Sequence, residues 1–100
     1  MIRRVSIDKS MEPLHLGIQI YCPENGGGGV FVSTVNEHSL ASRVGLKVGD
    51  QLLEVCGINM RSATYELAAS VLRQCGTPIT MLVQYSPDSE IMFFEVNKIY

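Results

Sequence analysis

The residues of this chain whose types could supply a catalytic triad are Asp8, Asp50, His15 and His38, with several serines. A nucleophilic serine needs a strained turn that exposes its hydroxyl beside a base, and G-x-S-x-G is one sequence form of that turn. No serine here stands in that setting, so no catalytic residue is assigned. The glycine run at 26–29 could suggest a phosphate cradle, but Val30-Phe31-Val32 follows it instead of Lys-Ser/Thr and a helix. The run reads as a flexible hairpin connection. Cys22, Cys56 and Cys75 are an odd set with no C-x-x-C spacing, and neither histidine falls at a ligand spacing from them. The expectation is three free thiols in a reducing compartment, with no metal and no cofactor. Lys9 and the glycine at 17, taken alone, read as a surface lysine beside a bulge glycine.

Composition narrows the partners. The chain has 100 residues, enough for one domain, and 46% of them are apolar, so it can bury a modest core. A net charge of −2 with no run of like charge argues against nucleic acid, which needs a basic face. Arg3, Arg4 and Lys9 form the local basic cluster. It reads as a solvated strand end, with weak contact to anionic lipid as the alternative. No apolar run approaches the roughly 20 residues that span a bilayer, and the N-terminus lacks a signal-peptide pattern.

The elements that must position any site follow from hydrophobic period. Residues 3–7 alternate as a strand, and so do 16–21, where Ile18 and Ile20 share one face and Gln19 and Tyr21 the other. Residues 30–35 predict a third strand. Ser39 can cap a short helix that Gly45 ends. Residues 51–55 predict a fourth strand with Leu53 and Val55 on one face, followed by a tight turn at Cys56-Gly57 and a short apolar piece at 58–60. The clearest helix spans 64–75, with Thr64 as cap, Glu66 in the first turn, Arg73 in the last and Gly76 as the stop. Residues 77–85 predict a last strand. Few strands are separated by a full helix, which argues against a doubly wound parallel sheet. The expectation is a mainly β fold with two α-helices, a compact, partly open antiparallel sandwich or barrel of five to six strands.

Along this framework lies an ordered set of motifs. Lys9 precedes His15-Leu16-Gly17-Ile18. Gly29-Val30-Phe31-Val32 enters the third strand. Ser39-Leu40-Ala41-Ser42-Arg43-Val44-Gly45-Leu46 forms the first helix and its exit. Val48-Gly49-Asp50-Gln51-Leu52-Leu53-Glu54-Val55-Cys56-Gly57 follows. Each is common alone, but in unbroken order over residues 3–85 they resemble a PDZ domain. The stretches Arg61-Ser62-Ala63-Thr64 and Gln84-Tyr85-Ser86-Pro87 further resemble modules of the discs-large-type, membrane-associated guanylate kinase scaffold proteins.

The resemblance implies a protein-interaction module, not an enzyme, that takes the C-terminal tail of membrane or cytoplasmic proteins. It places the module in the cytoplasm, at the inner face of the plasma membrane or at cell junctions. The amides of Leu16, Gly17 and Ile18 would hold the ligand carboxylate, with Lys9 adding positive charge directly or through water. Leu16, Ile18, Ile20 and Leu72 would form the pocket for the last side chain. Tyr65 and Ala69 would face the third-from-last residue, and Gln19 and Ser33 would flank the alternate ones. The ligand backbone would add a strand beside residues 16–21. In the helix, Tyr65, Ala69 and Leu72 share one face and Ala68, Val71 and Cys75 a neighbouring one; the alternative is one broad core stripe. Three residues depart from the family pattern. His15 replaces a small residue, Cys56 an asparagine, and Tyr65 the histidine that reads Ser or Thr in the ligand.

The domain is expected to cover 1–87, with 88–100 as a C-terminal extension. Ile91-Met92-Phe93-Phe94 is too apolar for a plain linker, and suits a packed tail or the start of another domain. A rival reading is self-association, with the terminal Tyr100 carboxylate seated in a neighbouring groove.

Overall fold

The computed structural model describes residues 1–8, 16–23 and 28–86. Within them lie β1 (Ile2–Ile7), β2 (Ile18–Tyr21), β3 (Val30–Val35), α1 (Leu40–Arg43), β4 (Asp50–Val55), β5 (Ile58–Asn59), α2 (Tyr65–Gln74) and β6 (Ile79–Tyr85). The strands run antiparallel in the order β1-β6-β4-β3-β2, with β5 paired to β4. The fold class is the one the sequence predicts.

Alternation explains most of the core. Val5 and Ile7 of β1 and Ile79, Met81 and Val83 of β6 are buried, while Arg4 and Ser6 face solvent. They meet Val30, Val32, Leu52, Val55, Met60 and Ala68 in one cluster. β4 departs from strict period two. Its register against β6 shifts between Leu52 and Glu54, so Leu53 is an extra residue. A bulge turns the side chains that follow it by half a period. Leu52 and Val55 therefore share the main core, and Leu53 is buried outside that cluster. The expectation that Leu53 and Val55 share a face is corrected by this bulge.

Both helices start where their caps predict. The Ser39 hydroxyl accepts the Ser42 amide at 3.1 Å, and the Thr64 hydroxyl accepts the Leu67 amide at 3.1 Å. Gly45 follows α1 at φ +87°, a left-handed exit that glycine adopts at little cost. α2 ends differently from expectation. Cys75 leaves the helix in extended geometry (φ −63°, ψ 137°), and Gly76 does not take a left-handed φ.

One buried charge ties the sheet to the α1–β4 connection. Asp50 is fully buried, and Arg3 donates to its Oδ1 at 3.1 Å and its Oδ2 at 2.7 Å. The Lys47 amide also donates to Oδ2, at 2.9 Å. A buried carboxylate is tolerated when it is paired and bonded in this way.

Candidate peptide groove

β2 is the terminal strand of the sheet, paired on one side with β3. On its other side it meets α2. Ile18 and Ile20 of β2, Val71 and Leu72 of α2, and Cys75 just after it are partly buried and pack on the main core. Leu16, at the entrance to β2, is buried. A sheet edge and an amphipathic helix thus lie side by side with apolar side chains at the base.

The loop at the head of β2 is oriented by its carbonyls. Leu16 C=O accepts the Ala41 amide at 3.0 Å, and Gly17 C=O accepts the Asn36 amide at 2.8 Å. In a trans peptide the N–H points opposite to the C=O of the same unit. The Gly17 amide is therefore directed away from α1, and the Ile18 amide away from the β3 end, towards the free side of β2. Gly17 holds φ +90°, and a Cβ there would overlap Ser39 Cβ. Only glycine fits both conditions. Ser39 supports the loop from behind, which its sequence signal as a helix cap did not reveal.

The other expected site residues fall around this groove. Tyr65 opens α2 with half of its surface exposed; Ala69 and Leu72 follow on the same side, half-buried. Gln19 is exposed, and its direct cross-strand partner is Thr34. Ser33 sits at a register shift, because Ile20 pairs with Val32 while Gln19 pairs with Thr34. Thr34 was not singled out from the sequence, since the bulge that puts it opposite Gln19 has no local signature. Lys9, His15 and the segment 87–100 lie outside the described residues. Of the basic cluster, Arg3 is engaged by Asp50, and Arg4 is exposed.

The cysteines correct a sequence expectation. Cys56 and Cys75 are joined by a disulfide, with Cα atoms 6.8 Å apart, and Cys22 alone is free. The pairing escapes sequence spacing because α2 folds back so that its end meets the β4–β5 turn. Cys22 is half-buried just after β2. Burial pushes its thiol pKa up, and the charge of Glu66 on α2 adds to the rise. Among the described residues no cluster of His, Cys, Asp and Glu could hold a metal, and no helix is long and apolar enough to cross a membrane.

An antiparallel sheet with one edge strand set against an amphipathic helix defines a peptide-interaction module. The chain belongs to the PDZ domain family, whose model matches residues 4–84. Among its relatives, human Disks large homolog 5 is 49% identical over 86 residues, covering 85% of this chain. The chain spans only 4% of that relative's length. The solution structure of the third PDZ domain of human hDlg5 matches with TM-score 0.69 and 44% identity, covering 86% of this chain and 70% of that one. INAD PDZ3 in complex with a TRP channel tail matches with TM-score 0.71 and 31% identity, covering 82% of this chain and 84% of that one.

Proposed function

We propose that this domain captures the C-terminal tail of a partner protein, the ligand backbone adding a strand between β2 and α2. The observation that carries the reading is the direction of the Gly17 and Ile18 amides at the head of an edge strand. A strand added there would find backbone donors and acceptors along β2, and its terminal carboxylate would meet the loop amides. Leu16, Gly17 and Ile18 hold the carboxylate in this reading, with Lys9 supplying charge. Leu16, Ile18, Ile20 and Leu72 receive the last side chain, and Tyr65 and Ala69 the third-from-last. Gln19 and Ser33 flank the residues between.

The likeness to Disks large homolog 5 supports placing the domain, residues 1–87, within a longer scaffold protein. The channel tail bound to INAD PDZ3 supports a ligand class of C-terminal tails of membrane or cytoplasmic proteins.

A C-terminal peptide library identifies a binder, which is then made as acid and as amide. Each charge-assisted bond is worth about 1.5–3 kcal/mol, so the amide should bind about tenfold or more weakly. Equal calorimetric affinities would overturn carboxylate capture.

A further inference from the structure

The disulfide lies at the far end of the groove's helical wall. Cys75 caps α2 and donates its amide to Val71 C=O at 2.9 Å. Cys56 occupies the β4–β5 turn at φ +50° and donates its amide to Thr80 C=O at 2.7 Å. The bond thus joins a fixed point of the sheet to the end of α2. The rest of α2 is lightly held. Ala68 is its one fully buried residue, and the chain leaving it through Gly76, Thr77 and Pro78 is exposed. Both cysteines retain partial exposure, so the pair is not sealed in the core.

We propose that Cys56–Cys75 is a thiol–disulfide exchange site for a small thiol of the glutathione class, acting as a reversible latch on α2. A glutathione thiolate attacks Sγ of Cys75, and the Cys56–Cys75 bond breaks. Its electron pair leaves on Cys56, which takes a proton from water. A second glutathione thiolate attacks the glutathione sulfur of the mixed disulfide and displaces the Cys75 thiolate, which is protonated in turn. Two glutathiones become glutathione disulfide while the protein pair gains two electrons and two protons. Attack on Cys75 releases the thiolate on Cys56, in the β4–β5 turn. A thiolate on Cys75 would face the negative, carbonyl end of α2. With the latch open, the last turns of α2 are held on the core by the partly buried Val71, Leu72 and Cys75 without a covalent tie, and local opening there becomes easier. The exchange is independent of peptide capture; its consequence for a ligand rests on the proposed groove.

The test needs no ligand. The full chain is equilibrated in glutathione buffers of graded redox ratio and quenched with N-ethylmaleimide. One adduct, on Cys22, marks the latched form, and adducts on all three cysteines mark the open form. Hydrogen exchange is then followed by mass spectrometry on both forms. The expected result is reversible interconversion, with amides at 71–75 exchanging about tenfold faster in the open form and β4 and β6 keeping their protection. Cys56→Ser should show the open pattern without reductant, and Cys75→Ala supplies that form if Cys56→Ser does not fold. A single adduct that persists in excess glutathione overturns the exchange site. Unchanged protection of α2 overturns the latch. Loss of protection in β4 and β6 together with α2 also overturns it, because the bond would then be a staple of the whole fold.

Discussion

Ser39 occupies the space that a side chain on Gly17 would need: its Oγ would lie 2.6 Å from an added Cβ and its own Cβ would overlap it. The contact joins the first residue ahead of α1 to the loop that directs the Gly17 and Ile18 amides. Gly17→Ala is expected to cost about 1–3 kcal/mol of stability, since it adds a left-handed alanine to the overlap. It should also weaken carboxylate peptides by about tenfold by displacing those amides. Ser39→Gly in the same chain removes the overlap but not the strain at φ +90°, and should recover part of the loss. Urea denaturation and calorimetry on the single and double variants check both effects. Wild-type affinity in Gly17→Ala would remove the loop from the binding site.

Arg3 and Asp50 make a prediction about stability alone. Arg3→Met leaves a fully buried carboxylate still accepting from the Lys47 amide but without its cation. Breaking a buried pair on one side costs about 3–5 kcal/mol, and the lower end applies because the Arg3 side chain is 26% exposed. The paired change Arg3→Met with Asp50→Leu should be less damaging than Arg3→Met alone. Denaturant midpoints of the variants measure the difference; a midpoint for Arg3→Met equal to wild type would refute it.

Tyr65 should set the preference at the third-from-last ligand residue. Half of the residue is exposed at the first turn of α2, with Ala69 continuing the wall. The ring is expected to take an apolar side chain, so Tyr65→Phe should change affinity for such peptides by less than about 0.5 kcal/mol. Tyr65→His supplies an acceptor and should favour Ser or Thr ligands by about 1 kcal/mol. A peptide series varied at that residue, titrated on all three proteins, decides it. If Tyr65→Phe instead weakens Asp and Glu ligands by about 1 kcal/mol, the phenol is acting as a donor.

Cys22 should react slowly with alkylating reagents. Its thiol is held neutral first by burial and then by the charge of Glu66, so less thiolate is present near pH 8 than on an unfolded chain. Glu66→Gln should speed alkylation. The raised folded pKa also fixes the sign of the stability effect. The contribution is fully present below the ordinary thiol pKa and is lost as pH rises through the folded value. Iodoacetamide rates on native and urea-unfolded chain, followed by mass spectrometry, check the first point. Equal rates would contradict it.

The sequence by itself determined the order of the elements and where both helices begin. Ser39 and Thr64 act on amides three residues away, so their capping is written in adjacent residues and was legible. The alternation of β1 and β6 likewise needs only neighbouring positions, and the ordered motifs from Lys9 to Gly57 pointed to the PDZ family. The groove residues were assigned from the family resemblance, since periodicity alone left one broad core stripe on α2 as an alternative.

Tertiary structure decided what depends on residues far apart in the chain. The closure of Cys56 on Cys75 spans 19 residues, and its partner choice is set by where α2 folds back. The Arg3–Asp50 pair spans 47 residues and follows from β1 joining β6 beside β4. Ser39 behind Gly17 depends on the Ala41 and Asn36 bonds that hold α1 and the end of β3 against the β2 loop. The bulges at Leu53 and Ser33 are failures of cross-strand matching, and a single strand read alone has no partner against which to slip.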